Sequence, residues 1–203
     1  MKLYYSPGAC SLSPHIALKE SGLAFEAIAA PTKTHQLADG TSYYTINPLG
    51  YVPLLVLDDG TQLREGQAIV QYIADQVPDK QLAPPNGTFA RYKLQEWLSF
   101  IGTELHKGFS PLFTPGMPEE AKALARTRLV SRLQWVDGEL AKTPYLMGET
   151  FSVADGYLFT VANWTQYVGI DRSGLTHLGS LTERVGARPA VQDAMRAEGL
   201  LKK

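Results

Sequence analysis

The sequence predicts a small α/β domain followed by an all-helical domain. Residues 2–76 alternate short apolar runs with helical patterns, which is typical of a sheet flanked by helices. Residues 77–88 hold three prolines and a glycine, which favours a linker. Helical periodicity then continues almost to the end of the 203 residues, a length that suits two small domains. The predicted boundaries are 1–78 for the first domain, 79–88 for the linker and 89–203 for the second.

The first domain begins with a strand–helix–strand unit. Its helix is predicted to close at Gly22, and a unit of this kind places its two strands in parallel. Asp58-Asp59-Gly60 then predicts a hairpin turn. The predicted elements are strands at 2–5 and 25–29, hairpin strands at 54–57 and 62–63, and a helix at 66–75. The resulting order, β-α-β-α-β-β-α, is that of a thioredoxin-like domain.

The sequence predicts helices along nearly the whole second domain. Ser152-x-x-Asp155 resembles a capping box ahead of an apolar run, with Asp in place of the usual Glu. The predicted helices are 89–113, 118–140, 153–168 and two shorter ones that end near Glu198.

Composition excludes several classes of function. The net charge is −1 without a basic run, which argues against nucleic-acid binding. The sequence has no apolar run of 18 residues, so neither a membrane span nor a membrane partner is predicted. One cysteine cannot form an intramolecular disulfide, which favours a reducing, cytoplasmic location. No metal site is predicted.

Cys10 lies where the first strand passes into the first helix. Pro14 suits the first helical position and Ser11 or Ser13 the cap. The start of a helix favours thiolate, so this location predicts a reactive cysteine rather than a small buried one. A dithiol redox protein would need a second cysteine at Ser13. Redox chemistry would therefore run through a mixed disulfide with an outside thiol such as glutathione.

Two further turns could recognise a peptide-like ligand. If the bond between Val52 and Pro53 is cis, the Val52 backbone turns outward and can bind an extended peptide. Glu65-Gly66 opens the next helix, where free N–H groups suit a carboxylate and Glu65 suits an ammonium. A glutamyl end group carries both charges. The alternatives are an ordinary loop and a glutamate that only complements its own helix dipole.

The helix after the linker carries two lines of side chains at helical spacing. One line is apolar and predicts the core face: Leu94, Leu98, Ile101, Leu105, Phe109 and Leu112. The other is polar: Ser99, Thr103, His106 and Ser110. A ligand wall and a solvated face explain this polar line equally well, and Lys107 adds a positive charge beside it.

These residues, in this order, resemble the beta-class glutathione transferases of bacteria. The resemblance covers the whole chain and rests on the order and spacing of several motifs together. The motifs are residues 2–12, Asn47-Pro48-x-Gly50-x-Val52-Pro53, Glu65-Gly66, residues 103–107, Ser152-Val-Ala-Asp155 and Arg188-Pro189-x-Val191-Gln192.

The resemblance implies a homodimeric detoxification enzyme that conjugates reduced glutathione to hydrophobic electrophiles, with no cofactor beyond that cosubstrate. It implies that Cys10 contacts the glutathione sulfur and can form a mixed disulfide with it. The implied catalytic residues are Cys10, His106, Tyr5 and Ser11. The implied glutathione-binding residues are Cys10, His35, Val52, Pro53, Glu65, Gly66, Ser99, Thr103, Glu104, His106 and Lys107. Glu104 would reach the glutathione of the neighbouring subunit. The implied electrophile pocket is lined by Phe109, Phe113 and Trp164, which as large helical aromatics could equally be core residues.

Three positions depart from the commoner pattern of that class. His35 stands where lysine is frequent, Ser99 where asparagine is frequent, and Gly66 where serine is frequent. These departures affect the strength of glutathione binding more than the chemistry. Two alternative functions stay open: a glutaredoxin-like disulfide reductase, and a non-catalytic glutathione-binding or ligand-carrier protein.

Overall fold

A computed structural model describes residues 1–201, which form two compact units. The first unit comprises residues 1–83 and the C-terminal segment from Arg188, and the second comprises residues 84–187. The division therefore falls inside the segment predicted as the linker. The C-terminal segment groups with the first unit, whereas the sequence prediction placed it in the helical domain.

The first unit is built on a four-stranded sheet. Its strands are β1 (Lys2–Tyr5), β2 (Glu26–Ala29), β3 (Leu54–Val56) and β4 (Gln62–Arg64), in the order β2-β1-β3-β4. β1 and β2 are parallel and the other two pairs are antiparallel, which confirms the predicted strand–helix–strand unit and hairpin. The helices are α1 (Leu12–Ser21) and α2 (Gly66–Asp75). α1 ends at Gly22, whose φ of 74° is the left-handed conformation that glycine adopts at little cost.

The predicted helix between β2 and β3 is wrong. In its place the structure has a single 3₁₀ turn, Tyr43–Thr45. Residues 31–50 contain two prolines and two glycines, which disfavour a long helix in this segment. The fully buried ring of Tyr43 packs 5.6 Å from that of Tyr4, and this contact fixes the turn against the sheet. The fold remains thioredoxin-like with a loop in place of that helix.

The second unit consists of helices. They are α3 (Phe89–Phe100), α4 (Lys107–Phe113), α5 (Glu119–Leu140), α6 (Val153–Ala162) and α7 (Thr176–Gly186). The predicted helix 89–113 is continuous, but residues Ile101–His106 between α3 and α4 form a π-helix. The predicted helix 153–168 changes to 3₁₀ geometry at Asn163.

α6 is the centre of the helical unit. All ten of its residues are buried, as expected of a helix that is enclosed by its neighbours. The predicted capping box at its start is confirmed, because Ser152 and Asp155 each bind the other's backbone. The Asp155 carboxylate also accepts the N–H of Leu146 at 2.8 Å, which ties the preceding loop to the helix start.

The last helix, α8 (Pro189–Ala197), packs on α1 in the first unit. Arg188 at its start binds Glu20 of α1 through two nitrogens, at 2.6 and 2.9 Å. Such a paired geometry stabilises the contact more than a single exposed ion pair would.

Candidate active site

Cys10 lies two residues before α1. Its Sγ is 3.3 Å from the carbonyl oxygen of Val52, to which the thiol can donate. The cysteine residue is half-buried. Cys10 thus lies between β1 and α1, where the sequence places it, and the activation of its thiol by the helix start stays a prediction.

Ser11 occupies a predicted cap position of α1 without capping the helix, whereas Pro14 does not lie at the first helical position. Ser11 stands at the cap position of α1, but its hydroxyl accepts the N–H of Ser6 at 3.0 Å and donates to the oxygen of Ser6 at 3.2 Å. Its hydroxyl thus holds the loop before Cys10 rather than capping the helix. Pro14 is the third residue of α1, because the helix already begins at Leu12. The role of Ser11 beside the glutathione sulfur stays a prediction.

Tyr5 ends strand β1 and is buried. Burial, together with the negative charge of Glu198, raises the pKa of its phenol. The phenol is protonated at neutral pH and can donate a hydrogen bond to a thiolate.

Side-chain hydrogen bonds fix the backbone of the turn before β3. The Tyr51 carbonyl accepts the hydroxyl of Tyr43 at 2.9 Å and the amide of Asn47 at 2.8 Å. The next peptide bond, Val52–Pro53, is cis, which is the condition set by the sequence prediction. Among residues 1–201 the N–H of Val52 has no hydrogen-bond acceptor. It is therefore available to a ligand's carbonyl.

Glu65 precedes α2 with a φ of 65° and a ψ of 113°. A side chain in this region of backbone space is strained, and such strain is typical of ligand-binding positions. The first bonds of the helix run from Ala68 and Ile69 back to the oxygen of Glu65, which leaves the N–H groups of Gly66 and Gln67 pointing out of the helix start. The side chain of Glu65 is exposed.

His35 packs inside its loop. Its ring centroid lies 4.5 Å from that of Tyr44, and its backbone has a φ of 51°. The two rings lie over Gly50, where an added Cβ would come within 2.6 Å of Tyr44. Its Nδ1 is buried without a hydrogen-bond partner among the described residues.

In the helical unit, His106 is the only member of the predicted polar line, within the described chain, whose side chain bonds to another helix. Its Nδ1 is 2.7 Å from the hydroxyl of Tyr157, on α6. Burial, with a smaller contribution from the charge of Lys107, lowers the pKa of the imidazole to about 4, so it is neutral at pH 7. Ser99 and Thr103 are exposed, and the Thr103 hydroxyl donates to the Ser99 carbonyl at 3.0 Å.

The three residues predicted to line the electrophile pocket form one aromatic cluster. Trp164 lies 5.6 Å from Phe109 and 6.0 Å from Phe113 by ring centroids, both edge to face. Phe109 is fully buried and Trp164 is 8% exposed, whereas Phe113 is 47% exposed. Phe109 is thus a core residue, and Phe113 presents the accessible surface of this cluster.

Glu104 lies in the π-helix and is fixed by two arginines of α5. Its carboxylate accepts from Nε of Arg132 at 2.8 Å and from Nη2 of Arg128 at 3.1 Å. These bonds lower the pKa of the carboxyl, so Glu104 is ionised. Its predicted contact with a neighbouring subunit stays a prediction.

Comparison with known proteins matches both parts of the chain. Residues 8–76 match the model of the glutathione S-transferase N-terminal domain and residues 119–197 that of the C-terminal domain. Glutathione S-transferase GstA of Escherichia coli O157:H7 is 50% identical over 200 residues, covering 98% of this chain and all of the relative. The chain belongs to the glutathione S-transferase family.

Solved structures of this family have the same fold as this chain. A bacterial beta-class glutathione S-transferase of Sphingomonas chungbukensis is 50% identical, with a TM-score of 0.95 over 99% of this chain and all of that one. A sphingomonad glutathione S-transferase complexed with glutathione is 47% identical, with a TM-score of 0.95 and the same coverage. The beta-class resemblance and the predicted fold class are therefore confirmed. Within residues 1–201, this glutathione S-transferase has no helix long and apolar enough to cross a membrane.

Sequence reasoning missed the residues that support the Cys10 loop of this transferase. Glu198, just after α8, accepts the N–H of Gly8 at 2.9 Å and bonds Nδ1 of His15 at 2.8 Å. The side chains of His15 and Glu198 are completely buried. No local pattern links residues more than 180 positions apart, so only the tertiary structure reveals this network.

Tyr157 was missed for a different reason. It stands in an apolar run where a tyrosine is an ordinary core residue, and its partner His106 is 51 positions away. The available signal was one hydroxyl-bearing ring inside an otherwise apolar helix, since a buried tyrosine usually finds a hydrogen-bond partner.

Proposed function

We propose that this glutathione transferase conjugates reduced glutathione to hydrophobic electrophiles. The observation that carries the proposal is the pairing of Cys10 at the start of α1 with Val52 of the cis-proline turn, 3.3 Å apart. One surface of the first unit thereby offers a thiol for the sulfur of the peptide and a backbone edge for its main chain. Family membership and the glutathione complex of a relative support the same ligand.

The first unit suits each part of glutathione. The unbonded N–H of Val52 would bind the cysteinyl carbonyl, in the manner of a strand added to a sheet. The N–H groups of Gly66 and Gln67 would bind the glutamyl carboxylate, and the exposed carboxylate of Glu65 its ammonium. His35 is proposed for the glycyl end, as the family resemblance implies.

The proposed reaction is a nucleophilic attack by the glutathione thiolate. The sulfur forms a bond to the electrophilic carbon, and a leaving group such as chloride departs with its electron pair. The protein's part is to hold the thiolate and to position the two reactants. The Tyr5 phenol, which is protonated at neutral pH, is the proposed hydrogen-bond donor to the sulfur from the first unit.

The helical unit is the proposed source of the electrophile wall and of a second donor. Phe113 presents an exposed ring that is backed by Phe109 and Trp164. An apolar, aromatic surface of this kind favours flat hydrophobic electrophiles. His106, neutral and bonded to Tyr157, is the proposed donor. The proposal needs no cofactor beyond the cosubstrate glutathione, and a cytoplasmic location would keep the Cys10 thiol reduced.

Two assays on the purified protein test the proposed function. We expect glutathione-dependent conjugation of 1-chloro-2,4-dinitrobenzene, with a weaker reduction of hydroxyethyl disulfide by glutathione. Disulfide reduction without conjugation would instead identify a glutaredoxin-like reductase. Calorimetric binding of glutathione with neither activity would identify a ligand carrier.

A homodimer is part of the proposal. The α3 and α5 helices expose four large apolar side chains, which are Phe89, Tyr92, Leu124 and Trp135, with exposures of 79, 61, 74 and 48%. Aromatic side chains are enriched at protein–protein interfaces, so these two helices are the surface proposed for the dimer contact. A closed two-fold dimer is also the commonest soluble oligomer.

Light scattering at micromolar concentration should give the mass of two chains. Placing a charge on this surface, as in Leu124→Glu, should shift the equilibrium toward one chain, because the carboxylate would be buried without a partner. Tyr167→Glu, which alters an exposed aromatic outside these two helices, is the matched control and should remain dimeric. A single-chain mass for the unmodified protein would contradict the dimer and the predicted action of Glu104 across it.

A further inference from the structure

We infer that Tyr157 holds His106 as the tautomer whose proton is on Nε2, and so makes this imidazole a hydrogen-bond donor. The Tyr157 hydroxyl and the His106 Nδ1 are 2.7 Å apart, a short and well-formed contact. The catalytic consequence of this inference rests on the function proposed above, in which His106 donates to sulfur. The tautomer itself is a property of the helical unit alone.

The direction of the hydrogen bond follows from the acidity of the two groups. Either the phenol donates to Nδ1, or an Nδ1–H donates to the phenol oxygen. A phenol is a much stronger acid than a neutral imidazole N–H, and an imidazole nitrogen is a better acceptor than a phenol oxygen. The imidazole is neutral at pH 7, since burial lowers its pKa. The favourable arrangement is therefore Tyr157 O–H to Nδ1, which leaves the proton of the ring on Nε2.

Packing restricts the orientation of the imidazole ring. The Trp164 ring meets the His106 ring nearly edge to face, with centroids 5.0 Å apart and planes at 71°. The Tyr157 ring contacts the same imidazole at 6.0 Å and 90°. Tyr157 is itself 5% exposed on the fully buried α6, so its hydroxyl cannot leave the contact without disturbing the core. The imidazole is held between two rings before any ligand arrives.

A fixed Nε2–H would act as a donor to a thiolate and not as a base. Donation to the charged form of a thiol lowers its pKa, so more of the cosubstrate would be ionised at neutral pH. A donor that is already oriented costs no reorganisation during the reaction. Under the proposed function His106 is a donor, and Tyr157 is a positioning residue that acts through His106.

Nitrogen-15 NMR of the histidine rings tests the tautomer directly. In the unmodified protein at pH 7, we expect the His106 signals of a neutral ring protonated on Nε2. Tyr157→Phe removes the hydroxyl and keeps the ring, and it should give a mixture of the two tautomers. Tyr167→Phe, at an exposed tyrosine, is the control and should leave the signals unchanged. An Nδ1-protonated ring in the unmodified protein would overturn the inference without the need for any variant.

Steady-state kinetics tests the consequence. Tyr157→Phe should lower kcat for conjugation about tenfold while the KM for glutathione changes less than about twofold, because a donor to the reacting sulfur is lost and the binding groups are not. A full effect of His106→Phe with no effect of Tyr157→Phe would overturn the positioning role. If the unmodified protein conjugates nothing, the proposed function fails, and the NMR result still decides the tautomer.

Discussion

Replacement of Asp155 by alanine is expected to lower the free energy of unfolding by about 3–4 kcal/mol at pH 7. The carboxylate accepts three hydrogen bonds of 2.8 Å, one from the N–H of Leu146 and two from Ser152. Asp155 and Ser152 are buried, so the abandoned donors would not be solvated by water. Each unsatisfied buried donor costs about 1–3 kcal/mol. Urea unfolding of the two proteins, followed by circular dichroism, measures the difference.

Ser152→Ala is the matched control for this network. It removes only the hydroxyl and leaves the backbone donors bonded to Asp155, so its loss should be about 1 kcal/mol. A loss for Asp155→Ala no greater than that of Ser152→Ala would show that the carboxylate does not organise the start of α6.

The same residue should give the protein a distinctive pH dependence. Burial raises the pKa of the Asp155 carboxyl to about 6, so the folded state favours the protonated acid more than the unfolded state does. Its contribution to stability is therefore full below pH 4 and is lost as the pH rises through 6. Relative to Asp155→Asn, which does not titrate, the unmodified protein should lose about 1 kcal/mol between pH 5 and pH 7. A constant difference over that range would contradict the raised pKa.

Replacement of Cys10 by alanine is expected to reduce disulfide-exchange activity at least about 100-fold. In this activity the Cys10 thiolate attacks the glutathionyl sulfur of the mixed disulfide between glutathione and 2-mercaptoethanol, forms a protein–glutathione disulfide and releases 2-mercaptoethanol as its thiolate. A glutathione thiolate then attacks the protein-bound glutathionyl sulfur, which regenerates the Cys10 thiolate and forms glutathione disulfide. No other cysteine exists in the chain to replace it. Conjugation should fall less, because the attacking sulfur in that reaction belongs to glutathione.

Intact mass spectrometry after incubation with glutathione disulfide measures the first step. The unmodified protein should gain one glutathionyl group and Cys10→Ala none. Cys10→Ser is the closer control, since its hydroxyl keeps a donor toward the Val52 carbonyl and so separates the loss of the thiol from the loss of this contact. Equal disulfide-reductase rates in Cys10→Ala and the unmodified protein would exclude Cys10 from the reaction.

Helix starts and helix ends are the parts of the fold that local sequence patterns predict best. The start of α6 follows from Ser152-x-x-Asp155, and the end of α1 follows from Gly22, because caps are set by neighbouring residues. The π-helix at Ile101–His106 was not predicted, since its residues fit the spacing of an ordinary helix equally well. The helix expected between β2 and β3 is missing because the burial of Tyr43 and the local prolines and glycines favour a loop.

By itself the sequence determined the fold class, the place of Cys10 between strand and helix, the cis-proline turn as a candidate backbone edge, and the bacterial beta class of glutathione transferases. These features depend on residues close together in the chain or on the order of motifs along it. Only the tertiary structure decided that Glu198 supports Gly8 beside the Cys10 loop and that Tyr157 bonds His106. Both contacts join distant segments, and a buried polar group is satisfied by whichever partner packing brings to it.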